Sequence, residues 1–299
     1  MTMPALLFAL IALELLIWTT VGHGVLGHAW PAAFAFALAA VLAVRALQQT
    51  FIWGFSRAHA SAAPRLGAWG WLTMLLTEFA AYLACFVVLL PLEGLWMRPD
   101  RLRPARRVVL LVHGYGCSRG VWWWWRRRLE AAGHVVATVS LDPPWADIDA
   151  LAGVLSARIR EVSAATGAEE VLLIGHSMGG LVSRAYLKDN PDARVPLLMT
   201  LATPHRGSAL ARLGMGRNAR QMEPASPFLA ALAKGPLPPH AVSLRATHDD
   251  FVCPQDGQKL PGMQDVPLAG VGHLALLFSG RALAHACASL AATHPPERN

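Results

Sequence analysis

The stretch Ile174-Gly175-His176-Ser177-Met178-Gly179-Gly180 decides how this chain is read. It carries the spacing G-x-S-x-G, follows the apolar run 171–174 and precedes a helix-forming segment at 180–187. A serine between two glycines at a strand-to-helix junction fits a nucleophile held on a sharp turn. Such a turn leaves no room for side chains beside Ser177 and lifts its hydroxyl clear of the sheet. It also sets the positive end of a helix where an oxyanion would develop. The same residues could form a glycine-rich turn with an N-cap serine, but the strand before and the helix after favour the nucleophile.

Outward from this turn the chain alternates. Short, β-rich apolar runs at 108–112, 135–139, 171–174, 197–201 and 241–244 read as buried strands. Helical stretches are expected at 119–132, 146–166, 180–187 and 274–292. This alternation predicts an α/β fold with a mostly parallel sheet covered on both faces, and chemistry at the carboxyl ends of its strands.

A serine hydroxyl needs a base at neutral pH. His273, in Gly270-Val271-Gly272-His273-Leu274, follows a predicted strand and precedes the C-terminal helix, so its loop can reach that edge. His113 and His176 are expected to orient backbone, and His205 to shape the pocket. The acid that holds the imidazole should emerge after the strand at 241–244. Asp249 is favoured, with Asp250 beside it and Asp265 as further candidates; the neighbour not used is expected to be a solvated turn residue. For the oxyanion, the N–H of Met178 follows the nucleophile directly, and the N–H of Tyr115 lies in the loop after the first strand, His113-Gly114-Tyr115-Gly116. The order Ser177, Asp249, His273 is that expected of α/β-hydrolases.

Taken together, residues 111–116, 171–181, 202–208, 249–252 and 270–274 resemble the bacterial lipase and esterase branch of the α/β-hydrolase superfamily, over about residues 107–292. The resemblance implies Ser177, Asp249 and His273 as catalytic residues, Tyr115 and Met178 as oxyanion donors, and no cofactor. It says nothing of the region before residue 98. The insertion at about 207–239, with Leu210, Leu213, Met215, Phe228 and Leu232, is expected to cap the site, and an apolar cap implies a hydrophobic acyl substrate. In Trp122-Trp123-Trp124-Trp125, consecutive helical residues point in different directions, so one or two are expected in the core and the others at a lipid surface.

The first 97 residues differ in kind. Only Glu14, Glu78, Glu93, Arg45, Arg57 and Arg65 are charged there. Apolar runs at 4–21, 30–47 and 69–92 are each about as long as the roughly 20 residues a spanning helix needs, with tryptophans at their edges. About three membrane spans at 1–97 are therefore expected, then an Arg/Pro linker at 98–107 and the hydrolase domain at 108–299. This points to a membrane, by the resemblance the inner membrane of a bacterium. The catalytic domain's side stays open: Arg57 and Arg65 argue for one side, the arginines at 98–107 for the same side, and an odd number of spans separates the two clusters. Glu78, in mid-span, is expected to be protonated or to face a neighbouring helix.

Net charge is +7, but no nucleic-acid recognition motif accompanies it. Basic clusters beside apolar helices fit lipid headgroups instead, so the partners expected are a hydrophobic ester or lipid substrate and membrane lipids. Cys85, Cys117, Cys253 and Cys287 form no C-x-x-C pair, and no metal-binding spacing occurs. The expected activity is carboxylic-ester hydrolysis through an acyl-enzyme on Ser177. Acyl transfer or thioester hydrolysis by the same residues is the alternative, and a dormant membrane interaction protein a further one.

Overall fold

The computed structural model describes residues 2–293. Its core is a six-stranded sheet: β1 (Arg107–Val112), β2 (Val136–Val139), β3 (Glu170–His176), β4 (Leu197–Leu201), β5 (His240–Ala246) and β6 (Gln264–Leu268). The order is β2-β1-β3-β4-β5-β6, and every neighbouring pair is parallel. Side chains alternate across the sheet. Val109, Leu111, Leu172, Ile174 and Met199 enter one apolar layer with Trp122, Trp125 and the C-terminal helix Gly280–Ala292. Val108, Leu110, Leu173 and Leu198 enter the other, with helices Ile148–Thr166 and Met178–Asp189. Burial on both faces explains why the first five strands read as continuous apolar runs. β6 did not read that way because it is an edge: Gln264, Asp265 and Pro267 are exposed, and an edge tolerates proline.

The helices fall close to expectation. Asp147 caps Ile148–Thr166 by accepting from the Ala150 N–H (2.9 Å), and Gly167 ends that helix in the left-handed region at φ 68°. The stretch after β1 opens as a 3-10 turn, Arg119–Trp122, before the helix Trp123–Ala131. Trp122 and Trp125 are fully buried, while Trp123 and Trp124 are half-buried beneath the guanidinium groups of Arg127 and Arg128. The linker is pinned rather than loose. The Asp100 carboxylate meets Arg126 (3.0 Å) and Arg158 (2.7 Å) and accepts from the Thr138 N–H (2.7 Å). The insertion between β4 and β5 holds three short helical segments, Ala209–Leu213, Arg217–Gln221 and Pro227–Leu232.

At the N-terminus, α1 (Met3–Gly24), α2 (Trp30–Ala58) and α3, which runs from Ala68–Leu83 into the π-helical turn Ala84–Leu89, are each long and apolar enough to cross a membrane. α1 and α2 pack side by side, closely enough that a Cβ on Gly22 would lie 3.1 Å from the Ala33 Cα. Within that pair Arg45 holds Glu14 through two hydrogen bonds of 2.7 and 3.1 Å, so neither charge stands alone. The C-terminal part of α2 and most of α3 lie against the catalytic domain. The four cysteines are free thiols.

Candidate active site

Ser177 closes β3 and opens the helix Met178–Asp189 with φ 54° and ψ −126°, a conformation that costs a non-glycine residue on the order of 1–3 kcal/mol. The surroundings hold it there. Its N–H donates to the Leu201 carbonyl (2.8 Å), and its own carbonyl accepts from the Gly180 N–H (3.1 Å) and Thr203 Oγ1 (2.9 Å). A Cβ on Gly175 would lie 2.6 Å from the Gly180 nitrogen, and one on Gly179 2.2 Å from the Val112 carbonyl oxygen. The glycines of the motif are therefore required by the close approach of two backbones. Gly114 answers to the same constraint from the other side, since a Cβ there would fall 2.8 Å from the Ser177 Cβ.

His273 is buried beside this turn and lines the same pocket as Ser177. Its Nδ1 donates to Asp249, 2.9 Å from Oδ2 and 3.1 Å from Oδ1. Asp249 is fully buried, and its remaining lone pairs accept from the N–H groups of Phe251 (2.8 Å) and Val252 (2.7 Å) and from Gln258 Nε2 (3.2 Å). Burial alone would lower the pKa of His273. The Asp249 charge and hydrogen bond outweigh it and leave the imidazole above its usual value.

Of the competing acids, Asp265 pairs with Arg245 on the sheet edge. Asp250 is not the solvated turn residue expected. It is fully buried; its Oδ2 accepts from Gln49 Nε2 (2.6 Å) and its Oδ1 from the His273 N–H (3.2 Å). Burial, with Asp249 adjoining, pushes its carboxyl up to about 6. The reason for the miss is that its burial is supplied by α2, two hundred residues away in the chain.

His113 and His176 orient backbone. His113 Nε2 accepts from the Leu141 N–H (2.9 Å) and Nδ1 donates to the Gly114 carbonyl (2.9 Å), fixing the loop after β1. Burial lowers its pKa to about 4, so the ring is neutral. His176 Nε2 donates to the His273 carbonyl (3.1 Å), and its ring packs on that of His273 with centroids 4.7 Å apart. His205 lies outside the Ser177 pocket. It is buried between Arg184 (3.2 Å) and Thr200 (3.1 Å), and joins the helix after the nucleophile to β4. Met178 begins its helix, where an N–H lacks an intrahelical partner. Tyr115 follows Gly114 directly, and its hydroxyl bridges the Met215 backbone, donating to the carbonyl (2.8 Å) and accepting from the N–H (2.9 Å). The oxyanion loop is thereby tied to the insertion.

The pocket has a volume of about 390 Å³. Of the cap residues expected, Leu210 and Leu213 line one side, joined by Met222, whereas Phe228 and Leu232 pack into the core layer and Met215 is exposed outside the pocket. The opposite wall was not foreseen: Phe51 and Ile52 of α2, and Tyr82 and Phe86 of α3. Nor was the hold of these helices on the catalytic loops. Ser56 Oγ donates to the Asp249 carbonyl (2.9 Å). Glu78 accepts from the N–H groups of Leu274 and Ala275, each at 2.8 Å. Glu93 caps the loop after β1 through Ser118 and the Gly120 N–H (3.0 Å). The one signal in the sequence was Glu78 itself, a carboxylate in an apolar run, whose partner no local pattern names. Among the described residues, no cluster of His, Cys, Asp or Glu is placed to hold a metal ion.

Parts of the chain are similar to known proteins. The model of the PGAP1-like alpha/beta domain matches residues 148–215, which include the Ser177 turn. A triacylglycerol lipase of Pseudarthrobacter phenanthrenivorans is 37% identical over 121 residues, covering 38% of this chain and 37% of that protein. One from Burkholderia plantarii is 37% identical over 121 residues, covering 38% of this chain and 33% of its own. The chain thus spans about a third of the length of these relatives. The mature lipase BlEst2 of Bacillus licheniformis superposes with a TM-score of 0.54 at 20% identity, over 64% of this chain and 94% of that one. The chain thus has the fold of the α/β-hydrolases, and over part of its length its sequence is similar to triacylglycerol lipases.

Proposed function

We propose that this chain hydrolyses hydrophobic carboxylic esters at a membrane through an acyl-enzyme on Ser177. The observation that carries the reading is the buried Asp249–His273 pair beside a serine held in a strained turn, with His273 and Ser177 lining an apolar pocket. In the first step Ser177 Oγ attacks the ester carbonyl carbon and its proton passes to His273 Nε2, the nitrogen left free because Nδ1 is held by Asp249. The tetrahedral oxyanion is received by the N–H groups of Met178 and Tyr115, each contributing about 3 to 4 kcal/mol to the transition state. Collapse expels the alcohol, which takes the proton from His273. Water then attacks the acyl-enzyme with His273 again as base, releasing the carboxylic acid and restoring Ser177.

The pocket walls support the substrate class. Aliphatic and aromatic side chains from the insertion and from α2 and α3 surround the serine, as an acyl chain requires. The test is a panel of nitrophenyl esters of increasing chain length, offered to the purified full chain with Ser177→Ala as control. Turnover at medium or long chains that disappears in the variant is expected. No Ser177-dependent turnover at any length, with a fluorophosphonate probe also failing to label Ser177, would refute the proposal.

A further inference from the structure

Three N-terminal helices meet the length and hydropathy a membrane span needs, yet the structure does not treat them alike. From Trp71 to Leu90, α3 lies along the catalytic domain. Met74, Glu78, Ala81, Cys85 and Leu89 recur at helical spacing and are buried. Trp71 packs on His248 (5.5 Å), Glu78 holds the His273 loop, and Ala81 and Cys85 join the core layer of the sheet. That contact runs for roughly 28 Å of helix. A bilayer crossing by α3 would drag the loops that carry Asp249, Asp250 and His273 into hydrocarbon with it.

The α1–α2 pair behaves differently. Both of its feet stand on the catalytic domain: Leu7 of α1 packs against the core layer, and Gln49 and Ser56 of α2 bond to Asp250 and Asp249. Between those feet and the turn at residues 25–29, α1 runs free for roughly 17 residues and α2 for roughly 18, down to Gln48, which accepts from the Tyr82 hydroxyl of α3 (3.0 Å); that is about 26 to 27 Å, close to the ~30 Å of a hydrocarbon core. The outward faces are mainly apolar, with Leu10, Leu13, Leu16, Phe34, Leu38 and Leu42 exposed, and the exposed Thr20 hydroxyl donates back to the Leu16 carbonyl (2.8 Å). The internal charges of Glu14 and Arg45 neutralise each other.

The segment joining α2 to α3 settles on the catalytic domain too. The Ser61 N–H donates to Gln255 Oε1 (2.8 Å), Ser61 Oγ accepts from the Asp256 N–H (2.8 Å), and the Pro64 carbonyl accepts from His248 Nε2 (3.0 Å). Arg57 and Arg65 therefore stand on the same side as the exposed arginines 98, 101, 103 and 106, and the turn at 25–29 contains no Lys or Arg. The conflict between the two basic clusters vanishes once only two helices cross.

We infer that α1 and α2 form a membrane-crossing hairpin whose partner is the bilayer, while α3 lies on the membrane surface, and that residues 59–67 and the catalytic domain share the cytoplasmic side. This places the Ser177 pocket at the foot of the hairpin, facing the inner leaflet.

The inference is tested without reference to catalysis, so its failure and that of the proposed esterase activity are distinguishable. In the full chain carrying Cys287→Ala, whose other thiols are buried, single cysteines are introduced at exposed positions: Val25→Cys, Ala63→Cys and Ala157→Cys. Bacterial cells are treated with a membrane-impermeant maleimide before and after permeabilisation. Val25→Cys is expected to label in intact cells, at least ten-fold more than the other two, which label only after permeabilisation. Opposite sides for positions 63 and 157, as three crossings require, would overturn the inference. So would labelling of position 25 together with them, or an inverted pattern.

Discussion

The contact between Gly272 and Glu78 allows the role of the N-terminal helices to be tested at one atom. A Cβ built on Gly272 lies 2.4 Å from Glu78 Oε2 and 2.6 Å from its Cδ. Since real Cβ atoms essentially never approach closer than 3.0 Å, Gly272→Ala must separate the His273 loop from α3 by at least ~0.6 Å. Glu78 cannot yield freely, because it is fully buried and held by the N–H groups of Leu274 and Ala275 at 2.8 Å. The loop therefore moves, and with it the imidazole one residue on. A misplacement of about 1 Å can cost on the order of 10²-fold in rate, so a loss of roughly 10- to 100-fold in kcat is expected with the sheet intact. Glu78→Ala leaves two buried N–H groups without acceptors, at about 1–3 kcal/mol each, and is also expected to lower kcat. The double variant discriminates: with the clashing carboxylate gone, Gly272→Ala should cost nothing more than Glu78→Ala alone, a coupling of about 1–3 kcal/mol. The assay is steady-state ester hydrolysis together with the rate of fluorophosphonate labelling of Ser177. Wild-type kcat in Gly272→Ala, or losses that simply multiply in the double variant, would refute the reasoning.

Other outcomes follow from the same geometry. Asp249→Asn should lower kcat by about 10⁴-fold by spoiling the His273 tautomer, whereas Asp250→Asn, whose carbonyl oxygen can still accept from the His273 N–H, should cost about ten-fold or less; equal losses would reassign the acid. Because Asp249 raises the His273 pKa, and only the neutral imidazole accepts the serine proton, kcat/KM should fall as pH drops through a value above 6.5, and a limb below 6 would contradict the pairing. Phe51→Ala should change the preferred acyl length in the nitrophenyl ester series while leaving short-chain kcat within about three-fold; an unchanged length profile would remove α2 from the pocket wall.

The sheet and the Ser177 turn were legible because their signals are local. Apolar runs report strands buried on both faces, and two glycines report the approach of two backbones at one serine. The acid was legible only as a neighbourhood. Asp249 and Asp250 are alike in sequence, and what separates them is that Asp249 meets the ring nitrogen while Asp250 meets the backbone and Gln49. β6 hid because an edge strand needs no apolar alternation. The wall formed by Phe51, Ile52, Tyr82 and Phe86 hid for the opposite reason: in an apolar helix, a face turned to protein and a face turned to lipid are written in the same residues. Glu78 stood out as a charge without an explanation, and its partners lie nearly two hundred residues later.

The hold of Glu78, Gln49 and Ser56 on loops at residues 249–275 also has a temporal side. On the ribosome the N-terminal helices are complete long before those loops emerge. The last pieces of the site to be synthesised thus find their anchors already waiting, and a chain whose helices have not been seated lacks the bonds that Glu78, Gln49 and Ser56 make to those loops.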